Sequence, residues 1–322
     1  MPSFIETISI KLFKAKIANH LNESDLARLS QTSQTMFKTC EPMLKAKKLL
    51  KHVVLGEQSE AEQMIRKNPG LLFIRAETID FSGRMIQATA FQAALGAEDT
   101  RMWRMMIPYF ENDDAIRNQF KQQFPDGFNN NPDENLQICY NELIKAIIED
   151  SDNGHKALEE FKADIQTNQK VVQGKHFNMR HLVAAYQAYT SHYLSLGTEA
   201  NRKLYFVKVI GLLQKEMPAH YAQAYCSGLM SLEADPESFE RTLLCKFSDL
   251  HFYLHENGLG ENIGFVSQAW ACPVEVYCER CDGSFDNTKT IINSLYQSNE
   301  EQLMDLAQHL GLIESSYPTL MR

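Results

Sequence analysis

Ile10-Lys-Leu-Phe13-Lys-Ala-Lys-Ile17-Ala-Asn-His-Leu21, followed by Asn22-Glu-Ser-Asp25-Leu26-Ala-Arg-Leu29-Ser30-Gln-Thr-Ser33-Gln-Thr-Met36-Phe37, is the stretch from which the fold class is read. Ile10, Phe13, Ile17 and Leu21 recur at steps of three and four, which places them on one face of an α-helix. Asn22 is a capping residue, and Asp25 stands three positions on in a loose capping box. Leu26, Leu29, Ser33 and Met36 form a second helical face, with Phe37 and Cys40 beside it. The expectation is two short helices, 10–21 and 22–37, around a tight corner. Roughly 40 residues with two narrow apolar faces do not make a core alone. One face must meet the rest of the chain or another protein.

The same helical period runs through most of the 322 residues, and strand signals are few. We therefore expect a nearly all-α protein. Hydrophobic residues at 44% and charged residues at 23% are those of an ordinary globular chain. The balance of 32 basic and 41 acidic side chains, net −9, argues against nucleic acid as a nonspecific partner, because phosphates demand a basic face. No apolar run reaches the ~18 residues of a membrane helix. The first residues lack the basic and apolar regions of a signal peptide. Seven scattered cysteines fit a reducing compartment rather than a disulfide framework.

The opening stretch resembles an F-box. Ile17-Ala-Asn-His-Leu21, Asp25-Leu26 and Leu29-Ser30-Gln-Thr-Ser33 match that family's spacing, while Ser9-Ile10 stand where its Leu-Pro would fall. The resemblance implies a Skp1-binding hairpin over 1–45. Its contact residues would be Ile10, Phe13, Ile17, Leu21, Asp25, Leu26, Leu29, Ser30, Ser33 and Met36.

Pro42 reads as the first residue of a further helix, since a proline loses nothing in the first turn. Along it Lys45, Lys47, Lys48, Lys51 and His52 form a basic stripe. The plain reading is a solvated face; the sharper one is contact with an acidic partner. Then come Leu50 to Gly56, a turn, and Ala61 to Pro69. A second pair follows: Thr89 to Gly96, a polar turn, and Thr100 to Phe110. Between the pairs, alternating apolar residues flank Asp80-Phe-Ser-Gly83, the pattern of a β-hairpin. This layout over 46–112 is similar to ankyrin repeats, and Thr89-Ala-Phe-Gln-Ala93 resembles their Thr-Pro-Leu-His-x-Ala box, with Ala90 for Pro and Gln92 for His.

An F-box followed by ankyrin-like helices resembles secreted effectors of intracellular bacteria such as Legionella, over residues 10–112. That resemblance implies an adaptor acting in the host cytosol. It would bind host Skp1 and, through it, a cullin–RING ubiquitin ligase, and would present an unidentified host target protein. It would not itself be an enzyme. Alternatives are a host-protein-binding module with no ubiquitin role, and a C-terminal enzyme of unrecognised type.

Turn residues crowd 113–135, read as a linker, with a short helix at 118–124. Residues 136–322 read as a helical bundle that binds the target. Its helices are expected at 136–148, 156–172, 179–196, 200–214, from Pro218, from Asp235, at 291–296 and at 303–310. Cys278 and Cys281 have the spacing of half a zinc knuckle but no second pair at a recognised distance. His251 and His255 lie one turn apart with Phe252 where a zinc protease needs Glu. Gly258 to Gly264 reads as a helix stop, not a phosphate loop. Tyr186, Tyr189 and Tyr193 share a helical face and are expected in the core. No cofactor is implied. The tail from Glu314 has features found in secretion signals and in ordinary C-termini alike.

Overall fold

In the computed structural model, residues 21, 23–128, 135–149, 151–166, 170–227, 239, 241 and 284–313 are described. They are mostly α-helix, in agreement with the all-α expectation. Ile10, Phe13, Ile17, His251, His255, the 258–264 loop, Cys278, Cys281 and the tail lie outside the described residues.

Helix α1, Glu23–Ser30, ends where Ser30 and Thr32 turn their hydroxyls onto the carbonyls of Ala27 and Leu29. Helix α2, Gln34–Val54, starts at the N-cap Ser33, whose Oγ accepts from the Met36 amide at 3.1 Å. The expected helix 22–37 is thus broken at Gln31–Ser33. Pro42 lies inside α2 rather than opening it. An internal proline costs a helix about 3 kcal/mol or more. Here α2 is buried on both sides of it, at Cys40, Met43, Ala46, Leu49 and Leu50, so packing outweighs propensity.

After Gly56 comes α3, Gln58–Lys67, and then the strands β1, Ala76–Ile79, and β2, Met85–Ala88. They pair antiparallel with Ala76 opposite Ala88 and Ile79 opposite Met85. The hairpin is where the sequence pattern put it. It is not a free finger: β3, Lys170–Val171, adds in parallel beside β2. Ser82 Oγ donates to the Met217 carbonyl at 2.9 Å, and Arg84 Nη1 to the His176 carbonyl at 2.6 Å. Helices α4, Ala90–Gly96, and α5, Thr100–Met106, complete the second pair. Thr89 and Gln92 form a full capping box at the start of α4, so the Thr89-Ala-Phe-Gln stretch works as a helix start.

Helix α6, Asp113–Gln123, occupies much of the stretch read as a linker. Its Ile116 and Phe120, with Phe124 and Phe128 beyond it, belong to the same core as α2 to α5. The short helix expected at 118–124 is thus present but longer, starting at the N-cap Asn112.

The second core is built by α7, Leu136–Glu149; α8, Ser151–Ile165; α9, Arg180–Ser191; α10, Glu199–Tyr205; α11, Gly211–Glu216; and α12, Ala219–Ser227. A π-helical turn, Phe206–Ile210, joins α10 to α11. Tyr186, Tyr189, Tyr205, Tyr221 and Tyr225 are fully buried in this core, whereas Tyr193 stands at its edge under the Arg202 guanidinium.

The segments expected at 291–296 and 303–310 are one 26-residue helix, α13, Ser284–His309. Its Ile291, Ile292, Leu295 and Tyr296 belong to the second core, and its Leu303, Leu306, Ala307 and Leu310 to the first. The first core draws on residues up to Phe128 with Val171 and the end of α13, and the second on residues from Tyr140 onward, so α13 laces the two together.

Candidate functional site

The candidate interface starts from α1 and the first half of α2. Leu26 and Cys40 are completely buried, and Met43 nearly so. They form a small core of their own, with Leu21, Leu29 and Leu44 packed around it. The second half of α2, from Ala46 to Val54, is embedded in the first large core. One continuous helix is therefore both arm and root. Lys47 Nζ donates to the Leu21 carbonyl at 2.6 Å and ties the start of the described chain to α2.

Among the expected Skp1 contacts, Leu26 and Met36 point inward and build the arm instead of facing a partner. Leu26 is covered because α2 continues past Phe37 and packs Cys40 and Met43 against it. Ser33 is exposed, but its hydroxyl caps α2. Leu21, Asp25, Leu29 and Ser30 are half-buried. The large side chain that does face water is Phe37, 50% exposed. Sequence reasoning placed it beside the second face without assigning it a contact. The buried set Met36, Cys40, Met43 and Leu50 was the available signal, since Phe37 falls outside that stripe.

A second functional-group cluster lies where the cores meet, at the corner between α4 and α5. Helix α4 closes with the Glu98 amide donating to the Leu95 carbonyl and the Asp99 amide to the Ala94 carbonyl. This closure requires a left-handed residue, normally glycine. Here Glu98 fills it at φ +58, a conformation costing a non-glycine residue about 1–3 kcal/mol. Its carboxylate reaches Lys175 at 2.8 Å, and Lys175 also meets Glu300 of α13 at 2.5 Å. Asp99 caps α5 at the Met102 amide and takes the Arg241 guanidinium at 2.9 and 2.5 Å. Thr100 Oγ1 donates to Asn299 Oδ1 at 3.1 Å. Consecutive residues thus hold the 175 loop, Arg241 and α13.

The electrostatics follow from burial and partners. Burial pushes the Glu98 carboxyl up to about 6, against the pull of Lys175. Burial would also raise Asp99, but Arg241 outweighs it and holds Asp99 below the usual carboxylate range. Burial lowers His176 to about 3, helped by Arg84, and His220 to about 4, opposed by Asp99. These imidazoles are neutral and weakly basic, unlike a general base poised near neutral pH. Gly96 lies against His176: a Cβ there would come 2.6 Å from both His176 Nε2 and Gln123 Nε2.

Beside the corner is a cleft of ≈ 440 Å³ lined by Arg84, Phe124, Phe128, Lys175, His176 and His181 among others. Its cations are held by the protein itself, Arg84 by Asp80 at 3.0 Å and Lys175 by Glu98 and Glu300. Among the described residues no group of His, Cys, Asp and Glu is placed to hold a metal ion. No described helix is long and apolar enough to cross a membrane. No protein-family model, curated protein or solved structure matches this chain.

Proposed function

We propose that this chain is a non-enzymatic adaptor of the F-box kind, whose N-terminal arm docks on Skp1 while its two-core body presents a target to a cullin–RING ligase. One observation carries the reading: the arm has a private core, Leu26, Cys40 and Met43, yet is rooted by α2 in the body. A part built this way is anchored in the body by one continuous helix, and among the described residues Phe37, Lys45 and Lys48 on its outer face are exposed. The matching spacing of Ile17 to Leu21, Asp25-Leu26 and Leu29 to Ser33 supports the F-box assignment. The helix pairs around the 76–88 hairpin support an ankyrin-like body. Such an adaptor works by proximity, raising the effective concentration of target lysines near a charged E2 enzyme. Delivery into a host cytosol belongs to the same proposal.

The test is capture of purified Skp1 by the full chain. Capture is expected, with loss in a Leu26→Ala/Leu29→Ala variant whose body still melts cooperatively. No capture by the native chain, or full capture by the variant, would overturn the reading. The inward turn of Leu26 and Met36 favours a second reading, a host-protein-binding module without ubiquitin machinery. Capture of a host protein with no Skp1 in the complex would select it.

A further inference from the structure

On a helical wheel, Phe37, Glu41, Lys45, Lys48 and Lys51 fall within one outward sector of α2, opposite Met43, Ala46, Leu50 and Val53. Phe37, Lys45, Lys48 and Lys51 are exposed, as is Lys38 at the sector's edge. The acidic member, Glu41, is tied to Lys45 at 2.8 Å. The stripe runs about 21 Å at the helical rise. It is basic on a chain whose net charge is −9. At physiological salt, fields reach only about 8 Å. An approaching partner therefore meets the stripe's local sign rather than the sign of the whole chain.

We infer that this outward face of α2 is a docking surface for an acidic protein segment, laid along the lysines with an apolar side chain covering Phe37. Charge complementarity selects the partner. Lysines supply attraction and orientation, which act mainly on the rate of encounter. A desolvated aromatic supplies the anchor. The inference deepens the adaptor reading by naming which face of the arm is used and the chemistry that meets it. It also explains how Leu26 and Met36 can be internal while the arm still binds: recognition moves from the hairpin's inner face to the outer face of α2.

Binding of the full chain to purified Skp1 at about 50 mM and about 300 mM salt tests it, because surface charge attraction is screened across that range. Affinity is expected to fall at least tenfold between the two for the native chain. Lys45→Glu/Lys48→Glu should bind at least tenfold more weakly at low salt and lose most of the salt dependence. Phe37→Ala should lose about tenfold while keeping the native salt slope. These exposed substitutions should leave the melting temperature in place, so a misfolded variant is recognised. If Skp1 binds the native and charge-reversed chains alike, the docking inference fails and the adaptor reading survives. If Skp1 does not bind at all, the adaptor reading fails and poly-L-glutamate becomes the probe. Retention of the native but not the charge-reversed chain upholds the acidic-partner surface. Equal retention of both, or preference for duplex DNA or anionic vesicles, overturns it.

Discussion

Along the outer face of α2, charged side chains stand in water, and the residues beneath close a core as small as Leu26, Cys40 and Met43. At the Glu98–Thr100 corner the arrangement is reversed: polar side chains are buried and their partners come from the same chain. Both places are a pair of helices joined by a short polar turn. The difference lies in what surrounds them. Among the described residues the outer face of α2 has exposed side chains, whereas the corner has α13, α12 and the 175 loop packed over it. A surface helix keeps its charged groups hydrated; at the junction between cores Glu98, Asp99 and Thr100 find partners within the chain, whereas among the described residues His176 Nε2 and His220 Nδ1 are buried without one, each at a cost of about 1–3 kcal/mol.

The strongest way to break the contrast is at a buried ion pair of the junction. Arg84 and Asp80 are nearly inaccessible, and Arg84 also holds the His176 carbonyl. Arg84→Met leaves the Asp80 carboxylate buried without its cation, and chemical denaturation should show a loss of about 3–5 kcal/mol.

The next effect is pH. His176 and His220 have folded values below their unfolded 6.5, so their contribution is complete above pH 6.5 and is lost as pH falls toward about 4 and then about 3. Glu98 runs the other way. Its folded value is raised to about 6 from 4.5, so its contribution is lost as pH rises through 6 and complete below 4.5. The imidazoles span the wider window, and Asp99 and Glu300, both held low, add to the acid loss. Melting temperature should fall steadily from pH 7 to pH 4. Glu98→Gln should gain stability over the native chain at pH 7.5 and show no advantage at pH 4.5. An advantage of the same size at both would refute the assignment.

Leu26→Ala sharpens the comparison from the other side. Emptying a fully buried leucine site costs about 2–5 kcal/mol, and the arm's small core has little else. Hydrogen exchange should quicken over residues 23–44 and stay native over 90–106. Phe37→Ala is the smallest effect, within about 0.5 kcal/mol in stability, because the ring is half in water. Its consequence is confined to binding.

Where regular period met a regular partner, the reading of the chain held. The helix pairs and the hairpin around Gly83 are local patterns, and each lies at the expected place, while the stretch likened to an ankyrin box is a capping box at Thr89. The misses share one cause. The chemistry of Pro42 alone predicts a helix start, but burial on both sides carries the helix through it. The short helix expected at 118–124 begins five residues earlier, at Asp113, because the turn residues before it hide its start. Glu98 was invisible: a polar turn after Gly96 gives no hint that its first acid will sit in a glycine's conformation and reach Lys175.

From the sequence alone come the helical class, the helix pairs and the hairpin turn around Gly83, since these depend on residues a few places apart. The tertiary structure decided which face of the arm is covered, that the chain's end laces two cores, and which acids meet which bases. Those outcomes depend on groups far apart in the chain, such as Thr100 and Asn299, which only packing brings within a hydrogen bond.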